Sequence, residues 1–176
     1  MIENIVSDIN ASIAEKLSAY PVFIKGIAES ITIKKEIGDD EVNVPCIIDV
    51  NGECTDVFID DDYRFGCYHR VVSKTYITET QKSYGDGLRV TEVYDMALVC
   101  WSFNANPVNI ERMIYSCFPK DARPYSANFD KKKVFSEETS NVDFFLIPES
   151  SLLSIKYKVQ VRQPKSCVEI EDIFNY

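Results

Sequence analysis

The stretch MALVCWSFNANPVNIERMIYSCFP, residues 96–119, decides the fold. Its first eight residues are apolar on both faces, the pattern of a strand buried between two layers. The next residues change the period. Asn106 has a side chain able to cap a helix, and Pro107 suits the first helical position, where its missing N–H costs nothing. Ile110, Met113, Ile114 and Cys117 then recur at i, i+3, i+4 and i+7, and Pro119 closes the segment. A buried strand running into a capped amphipathic helix predicts a sheet with a helix lying on it.

Upstream of it, Leu88 to Tyr94 alternates apolar with polar residues, so the same strand begins half-exposed. Cys67 to Thr80 is rich in Val, Tyr, Thr and Ile and predicts a second long strand, with SYGDG at 83–87 as the turn between the two. Downstream, Leu153, Ile155, Tyr157, Val159 and Val161 alternate with Ser154, Lys156, Lys158, Gln160 and Arg162, a strand with one face on a core and one in water. VDFFLI, ending at Ile147, adds a further strand. At the start of the chain, Ile2, Ile5, Val6, Ile9, Ile13 and Leu17 trace one stripe of a helix over about residues 2–19, stopped by Pro21.

Between that helix and the long strands, Ser30 to Glu36 predicts a strand, and GDDE a turn. VNVPCIIDVN predicts an edge or bulged strand, because Pro45 cannot donate to a ladder. Asn51-Gly52 signals a hairpin. Residues 120–141 are polar and mixed in sign and read as a long loop, and 167–176 as a C-terminal tail with apolar groups able to dock. The expected fold class is α+β: one domain over 1–176, an antiparallel sheet of long strands, and an N-terminal helix and a second helix at about 107–118 packed on one face.

Composition bounds the function. The 176 residues suffice for one domain with a real core, and 45% hydrophobic with 27% charged residues is ordinary for a globular protein. A net charge of −9 argues against a sequence-independent grip on nucleic acid and against anionic membrane surfaces. The N-terminus lacks the basic and apolar regions of a signal peptide, and no apolar run is long enough for a membrane span, so the expected location is cytoplasmic. The six cysteines form no C-x-x-C pair and read as free thiols.

One stretch invites a chemical reading. VFIDDDYRFGCYHRVV, residues 57–72, holds Asp60, Asp61, Asp62, Cys67 and the one histidine of the chain, His69. Cys67 and His69 are two apart and share a strand face, and Asp60 or Asp62 could complete a metal site. The plainer reading is a solvated turn leading into a strand, and it is preferred because one histidine without a tight ligand pair is thin support for a metal. No phosphate loop, calcium loop or nucleophile motif is present, so no catalytic, cofactor-binding or metal residue is assigned.

The order of elements resembles that of phage tail terminator and related tail-completion proteins. The matching parts are the helix IVSDINASIAEKL, the long strands YHRVVSKTYI and VYDMALVCWSF, the helix PVNIERMIYSCF, and the closing strands FFLI and LLSIKYKVQV. The resemblance implies a non-enzymatic structural protein of a phage or prophage, without cofactors. It also implies homo-oligomeric rings, commonly hexameric, that meet other tail or connector proteins in the host cytoplasm and the virion. The alternative is a small ligand- or metal-binding domain or enzyme with a site near Asp60–His69.

Overall fold

A computed structural model describes residues 2–37, 39–48, 51–52, 54–56, 63–79, 89–130, 134 and 150–162. The chain is an α+β fold. A helix, α1 (Ile2–Lys16), leads into β1 (Val22–Ile27), β2 (Glu29–Ile37), β3 (Asp40–Ile48) and β4 (Cys54–Asp56). The long strands β5 (Phe65–Glu79) and β6 (Arg89–Phe103) follow, then α2 (Pro107–Tyr115), β7 (Ala122–Asn128) and β8 (Ser150–Arg162).

Five strands form one sheet in the order β1-β5-β6-β8-β7, and β2-β3-β4 form a second, three-stranded sheet. The larger sheet is mixed, not purely antiparallel as expected, because β1 runs parallel to β5. That pairing follows from connectivity. β2, β3 and β4 intervene between β1 and β5, which gives the chain length enough to return in the same direction. β7 corrects a second expectation, since it lies inside the stretch 120–141 read as loop. Its sequence ARPYSAN is polar because β7 is the last strand of its sheet among the described residues, where one neighbour and partial exposure ask little of the side chains. The SYGDG turn at 83–87, the strand expected at VDFFLI and the tail 167–176 lie outside the described residues.

Both helices pack on one face of the large sheet. Ile2, Val6, Ile9 and Ile13 of α1 and Ile114 of α2 meet Phe65 and Cys67, Met96, Leu98 and Cys100, and the inward set Leu153 to Val161. Burying Ile9 and Ile13 contributes about 1.5–3 kcal/mol each. The opposite face has its own cluster, in which Ile47 of β3 packs with Tyr68, Val99, Trp101, Phe103 and Leu152. Both faces of MALVCWSF are therefore covered, as its unbroken apolar run requires. Pro45 is tolerated in the middle strand of the small sheet because, among the described residues, β4 pairs only with Cys46 to Ile48, leaving residue 45 without a ladder partner on that side.

Asn104, with φ of 53°, turns the chain from β6 towards α2, a conformation asparagine adopts more readily than most residues. The Asn106 Oδ1 then accepts the Val108 N–H at 3.0 Å. Asn106→Ala is expected to cost about 0.5–2 kcal/mol, read as a lower urea midpoint with unchanged slope. Among the cysteines, Cys67, Cys100 and Cys117 are free and buried, but Cys46 is disulfide-bonded, against the free-thiol expectation. Folding brings cysteines together in space regardless of their separation along the chain, so the lack of a C-x-x-C pair said nothing about Cys46.

Candidate functional site

His69 lies on β5 with its side chain fully buried on the helix face of the sheet. Both ring nitrogens are engaged. Nδ1 is 2.7 Å from the Tyr157 hydroxyl of β8, and Nε2 is 2.9 Å from Asn10 Oδ1 of α1. The Asn10 amide donates in turn to the Lys25 carbonyl of β1 at 3.0 Å, so its Oδ1 is the atom that faces the histidine. Asn10 Oδ1 can only accept, which places the imidazole proton on Nε2 and leaves Nδ1 to accept from the tyrosine. A single run of donors and acceptors thus crosses from β8 through β5 to α1 and β1, and every member has a partner.

Burial sets the charge states. Desolvation pulls the His69 pKa down to about 3, so the ring is neutral at pH 7. Burial pushes the Tyr157 hydroxyl and the Cys67 and Cys100 thiols up, with smaller contributions from neighbouring thiols. Cys67 and Cys100 stand directly opposite each other on β5 and β6. The Phe103 N–H donates to the Arg64 carbonyl, which marks that pair as hydrogen-bonded, so two-residue alternation makes Cys67–Cys100 a non-hydrogen-bonded pair with its side chains close. Held protonated in a dry core, these thiols are packing groups and poor nucleophiles or ligands.

Of the residues raised as metal candidates, Cys67 and His69 do share one face, and that face is the core. Neither histidine nitrogen is left for a metal in this arrangement. Asp60 and Asp62 lie outside the described residues. Among the described residues, no three His, Cys, Asp or Glu side chains converge as a metal site. A depression between α2 and strands β6 and β8, lined by Pro107, Ile110 and Leu153 among others, has no interior space for a water-sized group.

The other end of the long strands is different. β1 pairs with β5 only from Phe65 to His69, so beyond that point β5 is bonded to β6 alone among the described residues. Val71, Val72, Tyr76 and Ile77 are exposed there, Tyr76 at 61%. The register slips between Val71 and Ser73, a bulge that sharpens the local twist. Lys74 is ion-paired with Glu92 at 2.8 Å and sits over the rings of both Tyr76 and Tyr94, and the Tyr94 hydroxyl donates to the second Glu92 oxygen at 2.6 Å. Nearby on β7, the Tyr125 hydroxyl donates to Asp95 at 2.6 Å while Lys158 lies over its ring. Burial, then the Asp95 carboxylate, raise that hydroxyl to about 12.

Sequence reasoning found Cys67 and His69 but missed Asn10 and Tyr157. Tyr157 carries the one hydroxyl in the inward set of β8, and Asn10 borders the apolar stripe of α1; both were visible signals of a buried polar contact. The outer half of β5 was missed as a surface because its composition is that of any strand. Compared with known proteins, the chain matches no family model, and no curated protein matches it. Among the described residues, no helix is long and apolar enough to cross a membrane.

Proposed function

We propose that this protein is a non-enzymatic assembly subunit of a phage or prophage tail, of the tail-terminator or tail-completion type. It works by binding further copies of itself in a ring and by meeting other tail or connector proteins at the head–tail junction. The observation that carries the reading is the outer half of β5, where Val71, Val72, Tyr76 and Ile77 are exposed along a strand with one edge open among the described residues. Such an edge invites another strand, and a soluble chain that keeps apolar groups on it needs a partner to cover them. Tyrosines braced by a lysine, as at Tyr76, are the kind of rigid, amphipathic contact that interfaces favour.

Two further features fit. The order of elements resembles the tail-completion proteins, and a net charge of −9 suits a ring whose lining must not hold passing DNA. Such a subunit works in the host cytoplasm and then in the virion. The disulfide at Cys46 suits the virion better, because the cytoplasm keeps most thiols reduced.

Light scattering across a protein concentration series tests the reading. The expected mass is a multiple of the chain mass, and Ile77→Asp, a change at an exposed position, is expected to lower it towards that of one chain. A monomer at every concentration that retains a stoichiometric metal or small ligand would argue for the alternative near Asp60–His69.

A further inference from the structure

We infer that the edge of β5 left open among the described residues receives the C-terminal segment, residues 163–176, of a second copy of this chain, added as an antiparallel strand. The inference rests on the self-assembly reading and names the contact that performs it.

The geometry begins where β8 ends. Arg162 pairs with Thr91 of β6, and Thr91 pairs with Ile77 of β5. β8 therefore ends at the same end of the sheet as the open half of β5, two strands away, with fourteen residues of sequence still to follow. β8 and β5 run in the same direction, because each is antiparallel to β6. A chain leaving β8 and turning back runs antiparallel to β5. Extended, fourteen residues reach roughly 46 Å, whereas the open stretch from Arg70 to Glu79 needs roughly 33 Å. The remainder is enough to cross to a neighbouring molecule.

The chemistry of the two segments matches. In CVEIEDIF, Val168 and Ile170 alternate with Glu169 and Glu171, and Asp172, Ile173 and Phe174 follow. This is a strand pattern with three carboxylates. The receiving stretch carries no carboxylate from Arg70 to Thr78 and has Arg70 and Lys74 as its charges, with Val71, Val72, Tyr76 and Ile77 to cover. Main-chain hydrogen bonds would supply affinity, while the apolar groups and opposite charges would set the register.

A second copy is favoured over the same copy as the source. From the end of β8, a tail returning within its own chain must cross the ends of β6 and β5 to reach that outer edge. Donation to a neighbour has no such obstacle. It also uses two different surfaces of the subunit, a tail and an edge, which is the head-to-tail contact from which rings close.

Three samples test this: the full chain, the chain ending at Arg162, and full-length Ile170→Asp, which alters only the donated segment. Each is weighed by light scattering, and the shortened chain is titrated with a synthetic peptide of residues 163–176. The full chain is expected to assemble, and both variants to lose the assembled species at the same concentration. The peptide is expected to bind the shortened chain, with binding lost on Val72→Asp. If the full chain assembles but the shortened chain assembles like it, or fails to bind the peptide, the inference is overturned while the self-assembly reading stands. A monomeric full chain whose shortened form binds the peptide would place the tail on its own copy, overturning the second-copy contact and the self-assembly reading together.

Discussion

Gly66→Ala is expected to be the most damaging single substitution in the protein. Gly66 lies directly opposite Trp101 on the β5–β6 ladder, and the indole lies over it. A Cβ built on Gly66 falls far inside contact distance of the indole atoms Cε2, Cζ2 and Nε1. The ring has nowhere to retreat, because Trp101 is packed among Phe23, Tyr68, Val99 and Leu152. Overpacking a core usually costs about 1–3 kcal/mol, and a clash with a ring held on all sides lies at or beyond the top of that range. Against a total stability of about 5–15 kcal/mol, a loss of 3 kcal/mol or more lowers the melting temperature by about 6–12 °C for a chain of this size. Thermal unfolding followed by far-ultraviolet circular dichroism reads the shift. A Gly66→Ala protein melting within 2 °C of the parent would show that the indole is free to move.

Acid is expected to unfold the protein through His69. In the folded state the ring stays neutral down to about pH 3, while in the unfolded chain it takes a proton near pH 6.5. Below pH 6.5 the unfolded state therefore binds a proton that the native state refuses. Stability contributed by this group is fully present above pH 6.5 and falls as pH drops, by about 1.36 kcal/mol per unit, until the native ring also titrates. The loss approaches about 4–5 kcal/mol near pH 3, comparable with the whole stability of many domains.

Carboxylates add their own acid dependence, so the informative measurement is a difference. Urea unfolding at pH 7, 5 and 4 should show the parent losing stability faster than His69→Gln, whose side chain does not titrate. At pH 7 the variant is the less stable of the two, since Tyr157 or Asn10 loses a buried partner at a cost of about 1–3 kcal/mol. The gap between them should narrow as pH falls. Parallel pH profiles would mean that the ring is already accessible to protons in the native state.

The helices and long strands were legible in the sequence because each carries its own period. Ile110 to Cys117 repeats as a helix whatever surrounds it, and Leu153 to Val161 alternates as a strand with one wet face. β1 and β7 were not legible as strands. Val22 to Ile27 is half-buried along most of its length, with Gly26 near its end, so no alternation survives. Among the described residues β7 pairs with β8 alone and carries Pro124, and its place depends on β8 rather than on its own residues.

The site divides in the same way. The shared face of Cys67 and His69 follows from period two, and Phe65 on the same parity already marks that face as core. Nothing local announces that Asn10, fifty-nine positions earlier, closes the hydrogen bond, since a tertiary contact has no signature at either end.

The packing of Trp101 has a use beyond stability. As the one tryptophan of the chain, it confines all indole emission to the face where Ile47 and β3 meet the large sheet. The helix layer, with His69 and the buried thiols, lies on the far side of that sheet. Lifting the small sheet would admit water to the indole and shift its emission to the red, whereas loosening α1 would leave the colour unchanged. The molecule thus carries an optical gauge for one of its two layers. A titration in which the spectrum stays blue while the histidine protonates would show that the layers come apart separately.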